Sequence, residues 1–390
     1  MLKLPKGNLS PDHKNFDLHY YLTREPIILA LLSTVAVVVF AAVTELSSLY
    51  HAQQKSLGAE SYSSGEADLQ QGRYRQAVDE FRTALLYSRG NYSYQLDLAQ
   101  ALVGLHRTEE ASAYLVNLWE REPENGLVNL ELARIAAQKG NAEQALRYYH
   151  NAIYATWPGN QEQEMRATRL ELIGYLLKMN ARVQAQSELI LLAANLNNDP
   201  AQQAHVGTLF LQAQDYSDAL TAYLQSLHVE KNNHEALAGA GRAAFELGRY
   251  QDAAHYLQEA VAASPADTKS ADLLKTTDLV LEMDPFRRRI SLVTRDWIVM
   301  QNFTVAGDRL KSCEASGLSA SPLASQQSLQ DRWEKMKPQI NERGLGRNPD
   351  LVEDAMELVF DIERQTNAAC GAPVGTDRAL LLIAKVHEGM

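Results

Sequence analysis

The chain has 390 residues, of which 48 are acidic and 37 are basic, so its formal net charge is −11 at pH 7. Proteins that bind nucleic acid need basic surfaces to neutralise phosphates, so this acidic balance argues against nucleic acid as a partner. Only two residues are cysteines, Cys313 and Cys370, so at most one disulfide can form within the chain.

The first predicted element is a transmembrane helix near the N-terminus. Ile27 to Val43 form a 17-residue apolar run that only Ser33 and Thr34 interrupt, and a helix needs about 17–25 residues to cross a bilayer. We place the span at residues 26–46. A cleaved signal peptide, whose apolar segment is usually about 7–15 residues long, is one alternative. A buried core helix is the other.

Basic residues on the two sides of this span predict its orientation. Residues 1–25 contain four basic residues, whereas the twenty residues after the span contain only Lys55. Because basic flanks stay in the cytoplasm, residues 1–25 are predicted to form a cytoplasmic segment. The span would then lie in a bacterial cytoplasmic (inner) membrane as a single pass. Residues 47–58 are predicted as a linker, and the rest of the chain as periplasmic.

Beyond the linker the sequence repeats. Six alanines recur at spacings of 34, 34, 40, 34 and 34 residues, each followed four residues later by a bulky apolar residue. The alanines are Ala77, Ala111, Ala145, Ala185, Ala219 and Ala253, and the bulky residues are Phe81, Leu115, Tyr149, Leu189, Tyr223 and Leu257. Small residues stand twelve positions before five of the alanines, at Gly65, Ala99, Ala133, Gly207 and Gly241. This pattern is typical of antiparallel helix pairs that cross closely at a small residue.

The pattern resembles the tetratricopeptide repeat (TPR) family over roughly residues 59–266. Gly72, Gly140 and Gly248 support the resemblance, because each stands at a predicted turn five residues before one of the alanines. The resemblance implies an all-α solenoid of six repeats. The fourth repeat departs from the pattern, since an insertion that begins at Trp157 lengthens it and Ile173 replaces the small residue.

The resemblance also implies a concave surface, built from the first helix of each repeat, that binds proteins or peptides. Aligning the repeats places two positions of each first helix on this wall. The candidate residues are Tyr62, Glu66, Leu96, Gln100, Leu130, Arg134, Ala204, Thr208, Ala238 and Arg242. They are mostly uncharged, unlike the Lys and Asn residues with which some TPR domains clamp the C-terminal carboxylate of chaperones. The apolar ones have an alternative role, which is to pack against the C-terminal part of the chain.

A helical C-terminal module is predicted after the array. Residues 267–284 are predicted to cap the last repeat, which would otherwise expose its inner face. The module itself, residues 285–390, is predicted to contain helices at about 286–313, 325–342, 349–369 and 376–388, with breaks at 315–328 and 344–346. The third helix has the clearest start, because Asn348-Pro349-Asp350 combines a capping residue, a proline and an early acidic residue.

Two features of this module bear on function. Cys313 and Cys370 lie near the ends of predicted helices and are predicted to form a disulfide in an oxidising compartment, with two buried free thiols as the alternative. The densest basic cluster is Arg287-Arg288-Arg289. It is predicted to be solvated, and contact with anionic lipid or an acidic partner is the alternative.

The sequence contains no pattern that predicts an enzyme, a cofactor or a metal site. The segment from Gly239 to Ala244 matches a dinucleotide-binding pattern, but it lies inside a predicted repeat helix rather than after a strand. A set of acidic residues in the module is predicted to form a solvated helix face. The set comprises Glu353, Asp354, Glu357, Asp361 and Glu363.

These observations together predict a membrane-tethered scaffold or assembly factor that binds protein partners on the periplasmic side. A permanent accessory subunit of a large membrane complex is the alternative. No catalytic residue is predicted.

Overall fold

The structure is a computed structural model that describes residues 18–196, 198–315 and 323–389, and the side chains of residues 28–196, 198–313 and 329–389. The described residues form eighteen α-helices and one short 3-10 helix at Lys337–Gln339, and no named strand, which confirms the all-α prediction. The helices are α1 (Leu18–Gln70), α2 (Tyr74–Tyr87), α3 (Tyr92–Gly104), α4 (Thr108–Arg121), α5 (Gly126–Gln138), α6 (Ala142–Ile153), α7 (Gln161–Lys178), α8 (Arg182–Ala193), α9 (Pro200–Gln212), α10 (Tyr216–Val229), α11 (His234–Glu246), α12 (Tyr250–Ala263), α13 (Thr268–Met283), α14 (Leu292–Ala315), α15 (Leu323–Met336), α16 (Glu342–Arg347), α17 (Asp350–Cys370) and α18 (Gly375–His387).

Helix α1 carries the apolar N-terminal segment. All residues from Ile28 to Tyr50 are exposed, and an 18-residue window within the helix has a mean hydropathy of 2.3. A buried core helix is therefore the wrong interpretation of this segment, whose length and composition meet the requirements of a membrane anchor or a signal sequence. The first 17 residues of the predicted cytoplasmic segment lie outside the described residues. Residues 47–58, predicted as a linker, are helical and continue directly into the first repeat.

The chain divides into two compact units, Met1–Thr168 and Arg169–Met390. In the first unit, α1 to α6 form three helix pairs, and the alanines and bulky residues of the repeat pattern fill their core. Gly65 lies against the Phe81 ring so closely that a Cβ atom there would be 2.6 Å from Cε1. The small and large positions of the pattern therefore meet in space, as predicted.

Local sequence signals fix the ends of the repeat helices. Four first helices begin at an Asn or Asp whose side chain accepts hydrogen bonds from the first-turn amides, which satisfies N–H groups that have no partner within the helix. These caps are Asn91, Asn125, Asp199 and Asn233. Each turn inside a repeat contains one residue at positive φ. In three repeats this residue is a glycine, namely Gly72, Gly140 and Gly248. The equivalent residues of the other repeats, His106, Asn180 and Gln214, adopt the same left-handed conformation.

The insertion after α6 packs back onto the third repeat. Gly126 N–H donates to the carbonyl of Thr156 over 3.0 Å, and Thr156 N–H donates to the carbonyl of Glu124 over 2.9 Å. The indole of Trp157 is buried, and its Nε1 donates to the Ala152 carbonyl over 2.8 Å. A Cβ atom at Gly126 would lie 2.3 Å from Trp157 Cε2. The inserted residues therefore pack against the third repeat and extend its core.

In the second unit, glycines of the repeat helices accommodate large side chains. A Cβ atom at Gly239 would lie 2.1 Å from Cζ of Tyr223, and one at Gly241 would lie 2.6 Å from Cγ of Leu257. Both glycines belong to the dinucleotide-like pattern, and helix packing accounts for their presence.

We expect Gly241→Leu to lower the free energy of unfolding by roughly 1–3 kcal/mol, because a larger residue overpacks the contact with Leu257. Gln251→Leu, at an exposed position of α12, serves as the control and is expected to cost little. Urea denaturation of both variants measures the difference. Equal stability of the wild type and Gly241→Leu would contradict the repeat alignment.

The predicted C-terminal module follows α13, which packs on α12. Helix α14 starts at Leu292 rather than near 286, since Asp284 Oδ1 instead accepts the Phe286 N–H in a turn. The predicted break at 344–346 is wrong, because Asn341 caps the short helix α16 through a hydrogen bond from Gly344 N–H. Helix α15 begins at Leu323, inside the predicted linker, of which residues 316–322 lie outside the described residues.

Candidate functional site

The first helices of the repeats contact one another directly in the first unit, α1 with α3 and α3 with α5. Tyr62 connects two of them, since its hydroxyl donates to Asp97 Oδ2 over 2.6 Å and its ring stacks on Tyr94 with centroids 4.4 Å apart. The wall formed by these three helices is called the first wall below. Its aromatic and acidic groups are held in place by contacts between repeats.

Two carboxyl groups of the first wall, those of Asp97 and Glu66, interact with Tyr62. Burial raises the pKa of Asp97, and the nearby carboxylate of Glu66 adds to this, while the Tyr62 hydroxyl opposes it. Burial raises the pKa of Tyr62, and the carboxyl groups of Asp97 and Glu66 raise it further. The phenol therefore stays protonated at neutral pH and keeps donating to Asp97.

Two of the residues predicted for the first wall are buried. Leu96 and Leu130 are only 9% and 6% exposed, because they pack between helices. Glu66, Gln100 and Arg134 remain partly exposed.

The internal repeat pattern did not identify two acidic residues of the first wall. Asp97 bonds to Tyr62, and Glu131 forms an ion pair with Arg134 over 2.8 Å. Asp97 directly follows Leu96 and Glu131 directly follows Leu130 in the sequence. Their position next to predicted wall residues is the sequence feature that could have identified them.

In the second unit, α9 and α11 contact each other and form a second wall. Thr208 Oγ1 lies 3.0 Å from the Tyr223 hydroxyl and donates to Glu235 Oε1 over 3.2 Å. Burial raises the pKa of Tyr223 to about 12, so this hydroxyl is neutral. Arg242 is exposed and Ala238 is partly exposed, whereas Ala204 is buried.

Cys313 and Cys370 are paired as a disulfide in the structure, with their Cα atoms 5.7 Å apart. The pair joins the end of α14 to the end of α17. Close by in sequence, Arg309 Nη2 donates to the carbonyl of Gly371 over 2.9 Å. The same two helix ends are thus held by a covalent bond and by a hydrogen bond.

The prediction that Glu363 belongs to a solvated face is wrong. Glu353, Asp354 and Glu357 are exposed, but Glu363 is 0% exposed, and neither of its carboxyl oxygens has a hydrogen-bond partner among the described residues. Burial raises its pKa to about 8, with a further contribution from Asp377, while Arg309 opposes the shift. The folded state therefore favours the protonated form of this carboxyl group at pH 7.

The basic cluster borders a cavity of about 740 Å³ where the last repeat meets the C-terminal module. Arg249 comes from the repeat and His387 from α18, and Phe286 stacks on His387 with centroids 4.1 Å apart. Arg287, which is partly buried, and Arg288, which is exposed, both line the cavity, and Arg289 is exposed as well. No group of three or more His, Cys, Asp or Glu residues within the described ranges is placed to hold a metal ion.

Comparison with known proteins identifies the repeats. One tetratricopeptide repeat model matches residues 96–161 and 207–268, and another matches residues 68–118. These parts of the chain are therefore tetratricopeptide repeats. No curated protein matches the chain.

Solved structures of TPR proteins are similar to it at low sequence identity. YrrB, a TPR protein with an unusual peptide-binding site, is 15% identical, with 50% of this chain and 98% of that chain covered and a TM-score of 0.39. The C-terminal part of a TPR protein from Cytophaga hutchinsonii is 13% identical, with coverages of 61% and 92% and a TM-score of 0.45. The pilF protein of Pseudomonas aeruginosa is 17% identical, with 56% of this chain and 97% of that chain covered and a TM-score of 0.39.

Proposed function

We propose that this protein is a membrane-tethered scaffold or assembly factor that binds protein or peptide partners through its TPR walls. The observation that carries the proposal is the first wall, where contacts between repeats position a stacked aromatic pair beside partly exposed polar groups. Such extended surfaces of repeat proteins accept peptides and helices. The proposal assigns no catalytic residue, cofactor or metal.

The groups on the first wall favour a partner with both polar and charged side chains. Glu66 offers a negative charge, and Arg134, which is ion-paired with Glu131, offers a positive one. Gln100 offers a donor and an acceptor. Because Leu96 and Leu130 are buried, we narrow the proposed binding residues of this unit to Tyr62, Glu66, Gln100 and Arg134. In the second unit they are Thr208 and Arg242.

The proposed tether is residues 26–46, with residues 1–25 in the cytoplasm and residues 59–390 in the periplasm of a bacterium. Its support is the exposed apolar part of α1 and the four-to-one distribution of basic residues around it. Confinement to the membrane raises the effective concentration of a weak binder near membrane partners. Within the exported part we propose repeats at 59–266, a cap at 267–284, a module at 285–390 and a Cys313–Cys370 disulfide.

Alkaline phosphatase, which is active only after export, tests the side of the membrane when it is fused after residue 390. We expect an active fusion that remains in the membrane fraction after carbonate washing. A soluble active fusion would indicate a cleaved signal sequence. An inactive fusion, together with an active cytoplasmic reporter at the same position, would contradict the topology.

Isolation of the full chain in mild detergent tests the scaffold role. An assembly factor is expected to bring down partners in substoichiometric amounts. A fixed set of proteins in constant proportion would indicate the permanent accessory subunit instead.

A further inference from the structure

The first turns of α14 form an exposed apolar tip. Leu292, Val293 and Trp297 are 68%, 77% and 55% exposed, and they are called the α14 tip below. Ser291 fixes the start of the helix, because its Oγ accepts the N–H of Thr294 over 3.0 Å. The tip is therefore a defined part of a regular helix.

The tip extends beyond the core that holds the rest of the helix. Ile298, Val299 and Phe303 are buried, so the module packs on α14 from about its second turn onward. Val293 and Trp297 are four residues apart and thus share one face of the helix. Their exposure leaves a compact apolar projection that no described residue covers.

Two free cations precede this projection. Arg288 and Arg289 are exposed, and neither makes an ion pair or a hydrogen bond within the described parts of the chain. The closest acidic residue of α14, Asp296, is buried and already paired with Arg295 over 3.0 Å. Asp284, on the other side of the arginines, is partly buried and binds the Phe286 N–H. Arg288 also lines the cavity that Asp252 and Asp284 border, whereas Arg289 does not. Both guanidinium groups are exposed and so can be reached by an outside partner.

We propose that the α14 tip docks on an anionic lipid bilayer, with its apolar side chains at the headgroup boundary and Arg288 and Arg289 near the phosphates. Tryptophan is enriched at this depth, and basic residues are attracted to anionic lipids. The proposal rests on the proposed tether, which confines the whole chain to a membrane surface.

A bilayer accounts for the tip better than a protein partner does. A groove of about 330 Å³ between α13 and α14 borders Trp297, and a partner side chain would fit there. Leu292 and Val293 do not line that groove, so its filling would leave both exposed. A lipid surface covers all three residues of the tip at once.

Bromine-labelled phospholipids, which quench tryptophan fluorescence on contact, provide the test. The full chain is reconstituted in vesicles of brominated phosphatidylglycerol and phosphatidylcholine, and its emission is compared with that in unlabelled vesicles. We expect quenching of up to about one quarter of the emission, because Trp297 is one of four tryptophans. Trp157 and Trp333 are buried, and Trp119 is partly buried.

Matched variants assign the signal. Trp297→Phe should abolish the lipid-dependent quenching without changing the melting temperature, and Arg288→Gln with Arg289→Gln should reduce it at least twofold in anionic vesicles. Equal quenching of wild type and Trp297→Phe would overturn the proposal, as would wild-type emission that brominated lipid leaves unchanged. Carbonate washing distinguishes failure of the two proposals. A chain that washes off the vesicles would contradict the proposed tether. A chain that is retained but whose Trp297 is not quenched would contradict only the docking of the α14 tip.

Discussion

Replacing both Cys313 and Cys370 by alanine is expected to lower the free energy of unfolding of the C-terminal module by up to about 4 kcal/mol. The two residues are 57 positions apart in sequence, and a crosslink over a loop of this length removes much of the entropy of the unfolded chain. The bond joins α14 to α17, which also pack against each other. Hydrogen exchange of the amides in these two helices measures the effect on the module itself.

Reduction of the wild-type protein is the matched control. It should accelerate exchange in α14 and α17 as much as the double alanine variant does, and reductant should not affect that variant. Alkylation of denatured, unreduced protein from the cell envelope tests whether the bond forms in the cell. Two labelled thiols there would rule the disulfide out and weaken the periplasmic assignment.

Glu363→Gln is expected to raise the free energy of unfolding by roughly 2–4 kcal/mol at pH 8, and by less than about 1 kcal/mol at pH 5. Burial and Asp377 raise the pKa of the Glu363 carboxyl from 4.5 to about 8. Between these values the unfolded chain releases the proton and the folded chain keeps it, so the wild type loses stability as pH rises. Glutamine stays neutral and removes this loss.

Urea denaturation from pH 5 to pH 8 measures this difference. Glu357→Gln, on an exposed position of the same helix, is the control and should leave the pH dependence of stability unchanged. If Glu363→Gln and the wild type lose stability in parallel as pH rises, the buried carboxyl is not the source of the effect.

The repeat architecture could be predicted from the sequence because it depends on spacing. Close helix crossings require small residues and the spaces between them require large ones, so pairs such as Gly65 and Phe81 recur at the repeat period. The same spacing located the turns, at Gly72 and its equivalents. Periodicity therefore carries most of the information about this fold.

The character of single polar residues was less predictable. Glu363 follows Asp361 by two residues, which places it about 200° around α17 and on the buried face. The prediction of a solvated face grouped Glu363 with its acidic neighbours because they are all acidic, without regard to their positions around the helix. On the first wall, Leu96 and Leu130 are covered because the first helices contact one another, and repeat spacing does not report how closely successive repeats approach.

The most direct test of the central claim is photocrosslinking from two positions of the second repeat in the membrane-bound full chain. A photoreactive residue replaces Gln100, on the first wall, or Asn117, an exposed residue on the second helix of the same repeat. Both positions carry an amide side chain in the native protein, which makes them a matched pair. We expect Gln100 to yield crosslinks to protein partners and Asn117 to yield few. Equal crosslinking from both positions, or crosslinking from Asn117 alone, would contradict binding at the concave wall.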